Sequence, residues 1–204
     1  MAHAAAAAGL VLMTEAMLLR ASLGGCTLEV YPSPLLPGSA LSFTYRFLNR
    51  ETDPAFLFNR LFLSLDGQGR PLLDPRIASI EADPGGALVS KRLTPVPAGF
   101  AVESPIIPCM TRVGPGEDFA ETLTIPLPAP LVSAYLPGRR PPVVRGPMRV
   151  DFALGFFLAP AVRERLIPMV DTNLGPALQL QAFTESAQRI LRVGPLTDRF
   201  EFRR

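Results

Sequence analysis

The chain has 204 residues, 48% of them hydrophobic, with a formal net charge of +2. That is enough apolar material for one full domain and excludes global disorder. With almost all the basic residues arginine, Lys91 the only lysine and no tryptophan, it offers neither a clustered basic face nor a stacking platform for nucleic acid. The 23 prolines and 16 glycines are spread among apolar runs, the punctuation of many short strands.

Residues 1–25 open with an Ala-rich apolar run, too short to span a bilayer, which needs about 20 residues. The tetrapeptide Leu23-Gly24-Gly25-Cys26 resembles a bacterial lipobox, which implies an envelope lipoprotein anchored at Cys26. Against it, no Lys or Arg precedes the run, and Glu15 and Arg20 interrupt it. The expectation is therefore a disordered or short helical segment over 1–25. A glycine turn then leads into a single domain over 26–204. The balance favours a cytoplasmic protein, with a periplasmic or envelope location as the alternative and membrane contact only if Cys26 is lipidated. The only cysteines, Cys26 and Cys109, read as buried thiols in a reducing compartment, or as a disulfide in an exported chain.

From there the predicted elements are strands. They begin with Thr27–Tyr31 and Leu41–Asn49, where Leu41, Phe43, Tyr45 and Phe47 alternate with polar residues. Residues 55–66 form a third, with a bulge near Asn59-Arg60, followed by a hairpin turn at 66–72. Ile77–Glu81 and Ala87–Leu93 read as a hairpin, then come Gly99–Glu103, Met110–Val113 and Phe119–Ile125. Residues 126–147 read as a Pro- and Arg-rich loop. Met148–Leu158 carries the clearest alternation, with Met148, Val150, Phe152, Leu154, Phe156 and Leu158 on one face. A helix is expected over Ala161–Val170, bounded by Pro160 and Pro168, then three strands: Ala177–Thr184, Gln188–Val193 and Arg199–Arg203. Arg112-Val113-Gly114-Pro115 recurs as Arg192-Val193-Gly194-Pro195, read as two similar strand–turn–strand corners.

About eight to eleven short strands punctuated by turns predict an all-β fold, an antiparallel sandwich with an extra C-terminal hairpin and at most one or two short helices. The segments "PGSALSFTYRFLN" and "PGEDFAETLTIP" resemble the strand openings of bacterial immunoglobulin-like domains, over roughly residues 27–158. The resemblance implies an immunoglobulin-like sandwich, without the Cys…Trp…Cys spacing of antibody domains.

The catalytic inventory is thin. His3 is the only histidine, which removes Ser-His-Asp and Cys-His mechanisms and His-ligated metals from the domain. Ser90-Lys91 reads as an exposed strand pair whose neighbouring side chains diverge. The acidic groups Glu117-Asp118-Glu121 and Glu81-Asp83 flank Pro-Gly turns and read as solvated turn residues. No catalytic residue, metal site or cofactor is assigned. The candidate interaction residues are Arg50, Phe56, Phe58 and Arg60 around one apolar segment, with Arg139 and Arg140 on the proline loop. The expected function is a non-enzymatic module that binds a protein partner or completes an assembly, with no nucleic acid. A carboxylate-dependent hydrolase or lyase on the same scaffold, and the envelope lipoprotein, are the alternatives.

Overall fold

A computed structural model describes residues 17–34, 40–96, 99, 106–133, 135, 147–183 and 185–202. The Ala-rich run, residues 100–103 of the strand expected at Gly99–Glu103, and Arg139 and Arg140 lie outside the described residues. The elements in chain order are β1 (Leu19–Leu23), β2 (Cys26–Pro32), β3 (Leu41–Asn49), β4 (Ala55–Arg60), β5 (Phe62–Leu65), β6 (Pro71–Leu73), β7 (Ser79–Asp83) and β8 (Gly86–Lys91). They continue with β9 (Cys109–Val113), β10 (Asp118–Ile125), β11 (Met148–Leu158), the short helix α1 (Ala161–Glu164), β12 (Met169–Val170), β13 (Ala177–Leu178) and β14 (Arg189–Phe200).

Two sheets face each other and do not close into a barrel. The smaller has the order β1-β2-β3-β10. The larger runs β12-β13-β9-β4-β11-β8-β7, with β14 also paired to β11. Alternation builds the core: Leu28, Phe43, Tyr45, Phe47 and Leu123 from the small sheet meet Leu57, Val89, Phe152, Phe156 and Val193 from the large one. The Phe43 and Tyr45 rings each lie 5.0 Å from the Phe152 ring, centroid to centroid.

β11 organises the large sheet. One edge pairs with β14. The other is shared: Phe156–Leu158 pair antiparallel with β4, and Val150–Leu154 pair parallel with β8. Leu57 stands opposite Phe156 and Lys91 opposite Leu154, so β4 leaves β11 where β8 arrives. The sheet forks there. β4 also bulges at this point, since Leu57 faces Thr111 and Arg60 faces Cys109 on β9.

Four expectations need correction. First, Leu19–Leu23, N-terminal to a boundary at residue 26, is a strand paired along β2 through the Gly24-Gly25 turn. Gly24 has φ +60°, and a Cβ at Gly25 would press on the Arg50 backbone, so the two glycines make a tight two-residue loop. Second, the helix expected over Ala161–Val170 stops at Glu164, and Met169–Val170 is a strand. Pro168 disfavours helical geometry in the residue before it, which ends the run early. Third, Gln188–Val193 and Arg199–Arg203 are not separate strands: Arg189–Phe200 is one continuous strand, and the C-terminal hairpin is instead β12 paired antiparallel with β13. Fourth, only the first Arg-Val-Gly-Pro copy is a corner, closed by Glu117 N–H to Gly114 O. In the second, Val193 faces Phe152 and Thr197 faces Val150, so Gly194-Pro195 sits in a bulge against Asp151. A bulge has no ladder bond for a proline to break.

Candidate functional site

The fork brings together polar side chains that alternation aims into the sandwich. Ala87 and Val89 of β8 face the core, and Lys91 follows them with the same parity. On β10, Leu123 and Ile125 face the core, Phe119 packs against it, and Glu121 shares their side. Lys91 is fully buried. Its Nζ donates to Glu121 Oε2 at 2.8 Å and to the Pro75 carbonyl at 2.7 Å. The Tyr45 hydroxyl, directly across from Glu121 on β3, donates to the same Oε2. Burial pushes the Lys91 ammonium down from its ordinary value, partly offset by the Glu121 charge. Burial and the same carboxylate push the Tyr45 phenol well up.

Above this network lies a cleft of about 410 Å³ lined by Asn59, Arg60, Asp74, Thr111, Phe119 and Glu121 among others. Asn59 is buried, and its Oδ1 has no hydrogen-bond partner among the described residues. Arg60 is exposed at the rim, with Nε donating to Thr111 Oγ1 at 3.2 Å. Asp74 is tied to Arg76 at 3.0 Å, and that hydrogen bond holds its carboxyl below the ordinary value.

On the other side of the hairpin β5–β6 is an open groove of about 640 Å³, walled by Phe62, Leu65, Pro71, Ile107, Val170 and Leu180 among others. The hairpin is anchored inward by Phe62 and Leu73, which pack near Cys109, Ala177 and Val170. Asn173 fastens it further: its amide accepts from Leu73 N–H at 2.7 Å and donates to Leu73 O at 3.0 Å. Outward, Leu63, Leu65 and Leu72, with Met169 and Leu174 on the adjoining segment, are 38% to 60% exposed.

The residues singled out from sequence scatter. Phe56 and Phe58 do not form a surface; both are fully buried. The outer face of β4 is roofed by a second small core, in which Phe58 packs against Phe157 and Phe183. Arg50 is exposed but lies at the far end of β4, bonded to Gly116 O at 2.7 Å. Arg60 lines the cleft. Ser90 and Lys91 are buried, contrary to an exposed pair, because β8 is an interior strand. Cys26 and Cys109 form no disulfide and are buried in separate core clusters. Burial pushes each thiol up to about 11, with the Glu51 charge adding to the effect at Cys26.

The acidic groups are engaged by arginines rather than free. Asp118 accepts from Arg46 at 2.8 Å on the outer face of the small sheet. Asp83 and the buried Asp151 both accept from Arg192. Only Glu121 of its acidic cluster turns inward. Among the described residues no group of three or more His, Cys, Asp or Glu is placed to hold a metal ion, and no helix is long and apolar enough to cross a membrane. No protein-family model, curated protein or solved structure matches this chain.

The sequence reading missed Lys91, Tyr45, Asn59 and Asp74. For the first two the signal was parity: extending the inward faces of Leu41–Asn49 and of Ala87, Val89 reaches them both.

Proposed function

We propose that this sandwich is a non-enzymatic binding module that engages a protein partner, or another copy of itself, through the β5–β6 hairpin and its groove. The observation that carries the reading is the set of exposed apolar side chains on the hairpin and the adjoining strand, Leu63, Leu65, Leu72 and Met169, with Leu65 lining the groove. Several large exposed apolar residues on one short hairpin and its neighbouring strand mark contact surfaces more often than they decorate a monomer. The hairpin is fixed to the sheet by Asn173, so it presents them with little ordering cost on binding. The likeness to immunoglobulin-like domains belongs to this proposal as an analogy of architecture, two packed sheets presenting loops and edges.

A hydrolase or lyase would draw on Asp74 and Glu121, which share the cleft. It has less support, because each is already bonded to a cation and Asp74 is held ionised rather than poised as an acid.

The test is photo-crosslinking from position 65 in cells that make the protein, with Leu63→Arg as the control variant. A discrete crosslinked species, to one protein or to a second copy, that Leu63→Arg abolishes supports the proposal. No such species, together with a concentration-independent monomer in sedimentation, overturns it.

A further inference from the structure

We infer that the cleft at the sheet fork is a binding site for a small organic carboxylate bearing hydroxyl groups, with the hydroxyls inward and the carboxylate at Arg60. This inference stands apart from the hairpin surface. The direction of the hydrogen bonds decides the inner end. Tyr45 has one hydroxyl proton, and Glu121 takes it. Asn59 is buried beside the cleft, and its Oδ1 is left without a hydrogen-bond partner among the described residues. Glu121 receives both Lys91 and Tyr45 on Oε2, leaving Oε1 with no partner among the described residues. The buried Asn59 Oδ1 thus lacks a donor, which is costly, while the partly exposed Glu121 Oε1 is open to one. A hydroxylated molecule supplies what both need.

Charge decides the outer end. Lys91 is paired with Glu121, and Arg76 with Asp74. Arg60 has no ion pair among the described residues and is bonded only to a neutral threonine hydroxyl. Of the three charged side chains on the cleft lining, Asp74 and Glu121 are paired and Arg60 alone is not; it stands at the rim, in the fork geometry that suits a carboxylate. Its volume of about 410 Å³ is in the range of small-molecule sites. Phe119, Leu73 and Leu174 give it apolar walls.

The experiment is calorimetric titration of the full chain with D-gluconate, alongside hexanoate, which has the carboxylate without hydroxyls, and glucose, which has hydroxyls without the carboxylate. Glycolate and glycerate extend the series to smaller hydroxy acids. The expected result is saturable binding of a hydroxy acid, at least about tenfold tighter than either one-ended control. Arg60→Gln, an exposed change that leaves the core untouched, weakens the hydroxy acid about tenfold and leaves glucose unaffected. Arg60→Lys retains part of the affinity. The inference is overturned if no hydroxy acid in the series binds, or if binding survives Arg60→Gln undiminished. It is equally overturned if hexanoate binds as tightly as gluconate.

Discussion

Lys91 Nζ and Glu121 Oε2 meet 2.8 Å apart in the interior of the sandwich, one side chain from each sheet. The Lys91 side chain is fully buried and that of Glu121 mostly so. Removing one partner leaves an uncompensated charge, whereas replacing both with apolar residues removes the desolvation cost as well. Lys91→Met should therefore destabilise the fold by about 3 kcal/mol, and Lys91→Met with Glu121→Leu should recover most of that loss. Urea unfolding of the two variants and wild type checks this. A double variant no more stable than the single one would show that the pair is not coupled.

The two thiols set an alkaline trend. An unfolded chain ionises them near 9.0, and the folded chain holds both protons until about 11. Between those values the native state binds more protons than the unfolded state, so stability falls as pH rises from 9 to 11. The cysteine-to-alanine double variant should show a shallower fall than wild type in unfolding midpoints measured across that window. At pH 8 native Cys26 and Cys109 should react with iodoacetamide far more slowly than the urea-unfolded chain, read by intact mass. Equal rates would contradict the burial.

The two Arg-Val-Gly-Pro copies should respond differently to a methyl group. A Cβ at Gly194 would collide with the carboxylate and Cα of buried Asp151, the residue that holds Arg192. Gly194→Ala should cost about 2 kcal/mol or more. At Gly114 the Cβ meets the side chains of Glu117 and Arg112, which can swing away. Gly114→Ala should then cost well under that, about 1 kcal/mol at most. Thermal unfolding of both variants decides it, and equal losses would refute the distinction.

A chain begun at Cys26, as cleavage at the lipobox-like tetrapeptide would leave it, loses β1. Leu19 and Ala21 of that strand pack on the core, and its removal bares the edge of β2. Stability should drop by about 2 kcal/mol relative to the full chain, with concentration-dependent association in sedimentation. An unchanged midpoint and a clean monomer would mean β1 contributes nothing to the fold.

The strands were legible where one face met the core and the other met water. Leu41–Asn49 alternates so cleanly that its bounds could be read directly; Met148–Leu158 was read to its ends from its apolar pattern although residues 150–156 are buried on both faces. The buried polar network was not legible for a different reason. Parity places Lys91 and Glu121 on inward faces, but which inward residues meet depends on where β8 and β10 lie in their sheets, and the sequence carries no local sign of that. Phe56 and Phe58 were named as candidate contact residues because a strand covered on both sides has no alternation to show that both faces are buried. Their roof comes from Phe157 and Phe183, far along the chain. The second Gly-Pro was read as a turn because the same dipeptide serves a bulge equally well.

The shared edge of β11 also imposes an order in time. The four strands of the small sheet all lie between residues 19 and 125, so that sheet has its partners well before β11 exists. The large sheet cannot: β4 and β8 have only β11 to join them, and it is made some fifty residues or more after each. During synthesis the apolar inner face of the small sheet therefore waits uncovered until residue 158 emerges. The nascent chain is most exposed to misassembly in that interval, and slow, late closure is expected of a fold whose central strand pairs only with distant segments.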